Sequence, residues 1–342
     1  MTDNPILEPP ALRSFDSLPV RTATPDMLDM EKVDAHIARL VKERGYRGPT
    51  DPIEYLHQRR CLVRAGEETL ATLAGLICFG YNPQELFPRA VVDIGHYRGL
   101  ETVSYEVIHM EKDIGGTIFD QFARVETYLW NNTHHGMTLN EGSLQRVPVH
   151  EYPAAVIREL IVNLLAHRDY TNGLSSARVQ LFGNRIEWVS PGGLPPGVTV
   201  ENILSSQASR NPAILTILYE AGYVEAFGQG LDTVVAELRR EGIAPPHFED
   251  TGASFIVSVS GRPLELFSRE GVYASLNDRQ RKIMQSIRSR GVISPREMLT
   301  LFPDGTTQRT LQRDLQNLLT ANLIIAEGKG RAVRYRLPEE HG

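Results

Sequence analysis

The chain has 342 residues, of which 41% are apolar and 23% charged, and its formal net charge is −6. This composition excludes a disordered or fibrous protein and permits globular cores in two or three domains. No apolar run is long enough to span a membrane, residues 1–10 lack the features of a signal peptide, and Cys61 and Cys78 lack zinc-type spacing, so we expect a soluble, cytoplasmic protein.

The first 148 residues are predicted to form an extended tail and then an α/β subdomain. Residues 1–25 contain five prolines and little periodicity, which predicts a tail or a strap lying on another domain. The alternation of helices and strands beyond it is typical of an α/β layer and predicts a subdomain over residues 26–148. Helices are expected over residues 28–43, 52–58, 67–79 and 117–130, and strands over 61–63, 90–94 and 102–110.

Four histidines could suggest a metal site by residue type, namely His134, His135, His150 and His167. The first two are adjacent in a polar segment, and we expect them to share no helix or hairpin face with the others. The pattern therefore favours ordinary polar histidines over a metal site.

A buried helix is predicted after Tyr152, because apolar residues recur there at the spacing of one helical face, namely Ile157, Leu160, Ile161, Leu164 and Leu165. On this helix Glu159 and Asn163 are four residues apart, so both side chains project from one side. A carboxylate can accept a proton from water, and an amide oxygen is a hard ligand of the kind that Mg²⁺ accepts. The pair therefore indicates magnesium and phosphate chemistry.

The region that follows is predicted to complete a second domain over residues 149–262. A polar hinge at 167–173 precedes two strands, which are joined by a turn at Gly183 and Asn184. A further turn contains Pro191, Gly192 and Gly193. Helices are then expected over residues 199–204, 212–220 and 231–240, and a strand over 254–259.

A short glycine-containing segment, Gly228, Gln229 and Gly230, stands directly ahead of the last of these helices. Glycines at such a place let the backbone approach a phosphate, and the helix dipole favours an anion there. A tight turn that only starts a helix is the alternative interpretation.

The C-terminal region differs in charge from the rest of the chain. Residues 271–342 hold twelve basic and seven acidic residues, whereas the preceding residues hold 24 basic and 35 acidic residues. After a linker over 263–275, three helices and a basic hairpin over 276–338 predict a winged helix-turn-helix that binds double-stranded DNA. Contact with proteins only is the alternative. The side chains expected at DNA are Thr307, Gln308, Arg309, Gln312 and Arg313 on the third helix and Lys329 and Arg331 on the hairpin.

Several separated motifs now resemble one known family. They are RELIVNLLAHRDYTNG, EWVSPGGLPPGVT, SRNP and FGQGL, in this order. Together they resemble the GHKL-type ATP-binding domain of bacterial and archaeal transcriptional regulators that are often labelled RecG-like or Schlafen-associated. The resemblance covers about residues 29–337. It implies the α/β (α+β) fold class, with a GHKL or Bergerat-like α/β sandwich between the N-terminal α/β subdomain and the winged helix.

The resemblance also implies ATP and Mg²⁺ as cofactors. Glu159 would be the catalytic residue that positions the attacking water, and Asn163 would bind the metal ion. The nucleotide-binding set implied is Asn163, Asp169, Gly192, Gly193, Arg210, Gly228, Gln229 and Gly230.

Two departures from the family pattern matter. The family usually places an aspartate at the head of the second motif, where it binds the adenine amino group, but Ser190 or Pro191 occupies that place here. Many relatives also begin with an AlbA-type domain, and this chain is expected to start after it. DNA binding would then depend on the winged helix, with a separate AlbA-type protein as a candidate partner.

The leading hypothesis is a homodimeric, nucleotide-responsive transcription regulator that binds DNA. In it, the connector over residues 194–227 would fold over the nucleotide as a lid. A catalytic ATPase, weak or coupled to nucleic-acid remodelling or phage defence, is the second hypothesis, although the chain has no GxxxxGK[ST] loop. The third is a scaffold that retains the fold without the nucleotide.

Overall fold

The computed structural model describes residues 14–103, 106–139, 146–206, 208–224, 230–263, 276–302, 306–320, 323–328 and 333–337. These residues fall into two compact units. The first comprises the described part of residues 14–133 and 152–261, and the second the described part of 134–151 and 262–337. Over these ranges no helix combines the length and the apolar character needed to cross a bilayer.

Both units contain helices and strands. The helices are α1 (Met30–Arg44), α2 (Pro52–Gln58), α3 (Leu73–Phe79), α4 (Ile118–Asn132), α5 (Ala154–Ala166), α6 (Pro212–Glu220), α7 (Gly230–Arg240), α8 (Asp278–Arg290), α9 (Pro295–Leu299) and α10 (Gln308–Thr320). The strands are β1 (Leu62–Ala65), β2 (Glu68–Ala71), β3 (Val92–Tyr97), β4 (Val107–Ile114), β5 (His135–Leu139), β6 (Arg146–His150), β7 (Ala177–Leu181), β8 (Arg185–Pro191), β9 (His247–Asp250), β10 (Ser254–Ser260), β11 (Val292–Ile293), β12 (Ile325–Glu327) and β13 (Arg334–Arg336).

A six-stranded mixed sheet organises the first unit, with the order β4-β3-β7-β8-β10-β9. Its pairs are antiparallel except β3 with β7, which is parallel. The expected α+β class is confirmed. The sheet takes β3 and β4 from before residue 148 and the other four strands from after it, so the two predicted subdomains share one sheet.

Helix α5 packs against this sheet and forms the centre of the core. Of the five residues that the helical spacing placed on one buried face, Leu160, Ile161, Leu164 and Leu165 are at most 3% exposed, whereas Ile157 is only partly buried. At its C-terminal end, the side-chain amide of buried Asn211 donates to the carbonyl oxygens of Ala166 and Arg168, at 2.9 Å each. The connector that follows the glycine turn is thereby fixed to the end of α5.

Two helix predictions were wrong. Residues 67–79 form a strand and then a helix, because the Thr72 side chain accepts from Gly75 N at 3.2 Å and caps the start of α3. Residues 199–204 form turns and no helix. The Asn202 side chain accepts from Thr199 N at 2.7 Å and thus competes with the helical backbone pattern.

The segment around Asp16 fastens the start of the chain to α6. Asp16 is fully buried, and its Oδ2 accepts from the backbone N–H groups of Ala213 and Ile214 at 2.8 and 3.0 Å. Burial raises the pKa of this carboxyl group above its usual value. A residue in the predicted strap therefore supplies the N-terminal cap of a helix almost 200 residues later in the chain.

We expect Asp16→Ala to lower the free energy of unfolding by about 1–2 kcal/mol, because two buried N–H groups lose their acceptor. Urea denaturation measures the effect. Asp26→Ala removes an exposed carboxylate from a similar short helical turn and is the control, with an expected change within about 0.5 kcal/mol. Equal stability of the two variants would contradict the capping role.

The second unit contains the β5–β6 hairpin, helices α8, α9 and α10, and a small antiparallel sheet with the order β11-β13-β12. Its core is formed by apolar side chains of the helices and the sheet, including Ile283, Ile287, Leu311, Leu315 and Leu318. The three helices and the strands occur in the order expected from the sequence, while residues 329–332, at the tip of the expected hairpin, lie outside the described residues.

The expectation that the histidines share no hairpin face was wrong. His135 and His150 are direct partners in the β5–β6 hairpin, and their Nδ1 atoms are 2.9 Å apart. His134 Nδ1 lies 2.8 Å from Glu151 Oε2. In the described part of the chain no three His, Cys, Asp or Glu side chains are grouped so that they could hold a metal ion.

Candidate functional site

A cavity of about 310 Å³ lies in the first unit between α5 and the end of the β8–β10 pair. Its walls come from α5, from β8 and β10, from the connector after the glycine turn, and from the first residues of α6 and α7. The connector contributes the apolar side chains of Leu194, Pro195, Val198, Ile203 and Leu204. The volume and the mixed apolar and polar lining are typical of a small-molecule site.

Glu159 and Asn163 both line this cavity from α5. The Asn163 side-chain amide donates to Glu159 O at 2.8 Å and lies 3.3 Å from Glu159 Oε1. These contacts direct the amide nitrogen toward the helix, so the Asn163 carbonyl oxygen is the atom available to a metal ion. The helical spacing thus brings a carboxylate and an amide together, as the sequence predicted.

Gly230, the first residue of α7, lies against this pair. A Cβ atom added at Gly230 would be 2.4 Å from Glu159 Oε1 and 3.1 Å from Asn163 Nδ2. Only a residue without a side chain fits here unless Glu159 moves. Gly230 lines the cavity, whereas Gly228 and Gln229, which the sequence also assigned to the nucleotide, lie outside the described residues.

The glycine turn after β8 forms another wall. Gly192 has φ +90°, and a Cβ atom there would lie 2.6 Å from Asp169 Cβ and 2.9 Å from Arg210 Nη1. The positive φ angle and the lack of room for a Cβ atom both favour glycine. Gly192 N donates to Ala253 O at 2.9 Å, which holds the turn beside β10. Gly192 and Gly193 both line the cavity.

Asp169 and Arg210 contact each other behind this turn. Arg210 Nη1 lies 2.9 Å from Asp169 Oδ2, and Arg210 Nη2 donates to Gly193 O at 2.5 Å. Neither residue is among those that line the cavity. The structure thus places these two predicted nucleotide-binding residues where they support the glycine turn.

The charge of the cavity lining is negative. Among the described residues that form it, the acidic side chains are Glu159 and Asp232, and lysine and arginine are absent. His167 also lines the cavity, but burial, with a smaller effect of Arg210, lowers its pKa to about 4, so it is neutral at pH 7. Residues 225–229 contain no basic residue either. A polyphosphate therefore needs a divalent cation to offset its charge in this cavity.

The residues present fit a magnesium ion bound jointly with phosphate. Mg²⁺ is usually held by one or two protein oxygens together with phosphate oxygens and water. Asn163 would supply the amide oxygen, and Glu159 lies one helical turn away as a carboxylate for a water molecule. When bound, the ion would neutralise phosphate charge; the protein groups would hold and orient it.

On the sheet side of the cavity, sequence reasoning singled out only Ser190, which stands where the family pattern has an aspartate. Trp188 and Ser190 on β8 and Phe255 and Val257 on β10 all line it. The signal was present, because residues two apart on a strand share a face. The pairing of β8 with β10 could not be known from the sequence spacing.

The predicted DNA-contacting residues of α10 form one exposed group in the second unit. Thr307, at the start of the helix, and Gln308, Arg309, Gln312 and Arg313 are exposed. The opposite face buries apolar residues together with Asp314, which accepts from Arg279 Nε at 2.9 Å. Lys329 and Arg331 lie outside the described residues.

The first unit therefore combines a Glu–Asn pair on its central helix with a helix that begins at a glycine beside this pair. Residues 175–259 match the family described as "Putative ATP-dependent DNA helicase recG C-terminal". This range includes the glycine turn and Gly230 but not Glu159 or Asn163.

The fold is similar to that of a solved structure, the DIP2311 protein from Corynebacterium diphtheriae. The TM-score is 0.58 at 21% sequence identity, and the similarity covers 95% of this chain and 64% of that one. At this identity the similarity concerns the fold alone. No curated protein matches the sequence.

Proposed function

We propose that the protein is a DNA-binding transcription regulator whose first unit binds ATP with Mg²⁺ and whose second unit binds double-stranded DNA. The observation that carries the nucleotide part is the close approach of Gly230 to Glu159 and Asn163 at the edge of the cavity. The match of residues 175–259 to an ATPase-type family supports the same ligand class.

Hydrolysis is the second candidate function of the same site. Its support is the position of Glu159, a carboxylate that lines the cavity beside the proposed metal ligand Asn163. A carboxylate so placed can act as a general base toward water. In this alternative the protein is an ATPase, and ATP turnover, rather than occupancy, controls its interaction with nucleic acid.

The DNA part of the proposal depends on the exposed residues of α10. We propose that the second unit acts as a winged helix, with α10 in the major groove and Arg309 and Arg313 close to base edges or phosphates. A homodimer would present two copies to paired half-sites. The nucleotide can change the affinity for DNA only by as much as its own affinity differs between the DNA-bound and the DNA-free protein. Such differences are typically about 1–3 kcal/mol.

Arg309→Ala combined with Arg313→Ala is expected to weaken binding to a duplex of arbitrary sequence and to lower the salt slope by about 2, because two phosphate-neutralising charges are lost. Fluorescence anisotropy over a range of salt concentrations measures both. The control, Arg239→Ala with Arg240→Ala, removes the same charge from the exposed end of α7 in the first unit. Unaltered affinity in the α10 variant would assign the second unit to protein contacts.

The regulatory step is tested with the same duplex in the presence and absence of MgATP. We expect a change in DNA affinity of about 5- to 150-fold in the native protein. If MgATP binds and DNA affinity is unchanged, the protein is no nucleotide-responsive regulator of DNA binding, and the hydrolytic alternative is favoured.

A further inference from the structure

Strand β4 is at one end of the six-stranded sheet, and among the described strands it pairs only with β3. Every second residue of an edge strand directs its backbone N–H and C=O groups away from the sheet, where a further strand can pair with them. Three large apolar side chains of β4 are also exposed, namely Val107 (38%), Ile108 (53%) and Met110 (44%). An open edge that carries exposed apolar side chains is suited to the addition of another strand.

The ladder between β4 and β3 is regular around Met110. His109, Met110 and Glu111 pair with three consecutive residues of β3, and the register shifts on both sides of this stretch. A bulge bends a strand and disrupts its hydrogen-bond ladder. The part of β4 that offers a regular outer edge is therefore residues 109–111, with Met110 at its midpoint.

The side chains of this stretch alternate between the two faces of the sheet. Glu111 Oε1 accepts from Arg124 Nε of α4 at 2.8 Å, and the His109 ring stacks on the Tyr128 ring of α4 with the centroids 5.1 Å apart. His109 and Glu111 therefore face α4, whereas Met110 lies on the opposite face of the sheet.

We propose that this stretch of β4 pairs with the same stretch of a second copy of the chain, antiparallel and about a twofold axis at Met110. The inference deepens the proposed function, because it names the surface of the homodimer proposed there. In this register Met110 lies opposite its own copy, and His109 lies opposite Glu111 of the second copy. An imidazole N–H can donate to a carboxylate, and the symmetry makes this complementary pairing occur twice.

The other symmetric registers are less complementary. An axis at Glu111 would place two carboxylates directly opposite each other, which is destabilising. The Arg124 guanidinium holds the pKa of Glu111 below its usual value, so both carboxylates would be ionised at pH 7. An axis at His109 or at Glu111 would also pair the regular stretch of one copy with an irregular part of the other. Only the axis at Met110 places residues 109–111 opposite themselves, and this self-complementarity favours a second copy over an unrelated extended segment.

Sedimentation velocity of the full chain over a range of concentrations measures the association. We expect the native chain to dimerise. Met110→Lys and Met110→Asp are each expected to weaken dimerisation about tenfold or more, because two like charges then lie opposite each other at the axis. Val41→Lys is the control, because Val41 is 41% exposed and lies on α1, and no change is expected.

A mixture of Met110→Lys chains with Met110→Asp chains tests the position of the axis. We expect heterodimers to form about tenfold more tightly than either variant forms homodimers, because opposite charges then lie opposite each other. A mixture that remains as dissociated as the separate variants would overturn the proposed register.

A cysteine at the axis gives a covalent measurement of the same pairing. Directly opposite Cα atoms of an antiparallel pair are about 4.5–5.5 Å apart, which is within the range of a disulfide. We therefore expect Met110→Cys to form a disulfide between two chains on mild oxidation. The native cysteines, Cys61 and Cys78, are both buried, so the control variant Val41→Cys is expected to remain uncross-linked.

The outcomes separate this interface from the rest of the proposed function. If the native chain is monomeric at every concentration, the interface and the proposed homodimer are both wrong. If the native chain is dimeric and both charged Met110 variants dimerise equally well, the interface is wrong while the homodimer stands.

Discussion

An Asn163→Ala variant is expected to lose the rise in melting temperature that we expect ATP with Mg²⁺ to give the native protein. A ligand at about a hundred times its Kd stabilises the folded state by about 2.7 kcal/mol. For a folded unit of this size, that corresponds to a rise of about 5–10 °C. The lining contributed by the described residues contains no lysine or arginine, so removal of the amide oxygen that would hold the metal ion would leave the phosphates without compensation. We expect the shift in the variant to be close to zero.

Asn132→Ala provides a closely matched control. The Asn132 side chain donates to Tyr128 O at 2.8 Å, which is the same i to i−4 contact that Asn163 makes with Glu159 O. Asn132 is exposed at the end of α4, so its substitution removes an equivalent hydrogen bond without touching the cavity. A full nucleotide-induced shift in Asn163→Ala would remove the metal-binding role of this residue.

Glu159→Gln separates hydrolysis from binding. It retains the size of the side chain and removes the charge that a general base requires. If the site hydrolyses ATP, we expect turnover to fall about 100-fold or more while the thermal shift with MgATP remains. Turnover equal to that of the native protein would show that Glu159 is not the base.

The second large effect is expected on stability, from Gly75→Ala in α3. A Cβ atom at this buried position would lie 2.3 Å from the backbone carbonyl oxygen of Cys61. This oxygen also accepts from Thr72 N at 3.0 Å, so it cannot move without loosening the start of α3. We expect a net loss of about 2–3 kcal/mol in the free energy of unfolding, because the clash outweighs the better helix propensity of alanine.

Urea denaturation measures the free energy of unfolding of Gly75→Ala and of a control variant, Gly173→Ala. Beyond the chain neighbours of Gly173, no described residue has an atom within 4 Å of a Cβ added there, so that substitution is expected to change stability by less than about 0.5 kcal/mol. If Gly75→Ala is as stable as Gly173→Ala, the close packing of α3 on the segment at Cys61 is incorrect.

The parts of the fold that could be predicted are those determined by local spacing. The apolar positions of α5 and the turn at Gly183 and Asn184 agree with the structure, because helical periodicity and turn residues depend on neighbours in sequence. Helix predictions over 67–79 and 199–204 were wrong where a single polar side chain, of Thr72 or Asn202, formed a local hydrogen bond that changed the backbone.

In the candidate site, too, the features within one helix could be predicted and the contacts between distant segments could not. The spacing of Glu159 and Asn163 on one side of α5 followed from the sequence, since both residues are on one helix. Tertiary packing between distant segments determines three other features of the site. They are the close approach of Gly230 to this pair, the pairing of Arg210 with Asp169, and the cavity wall that contains Trp188. Those arrangements have no signature in local periodicity.

The most direct test of the nucleotide-binding site is calorimetric titration of the native protein with ATP, once with Mg²⁺ and once with a chelator. We predict binding of one ATP per chain with Mg²⁺ and strongly reduced binding without it, because Glu159 and Asp232 face a cavity that has no basic side chain in its described lining. Absence of binding under both conditions, or equal affinity under both, would contradict the account.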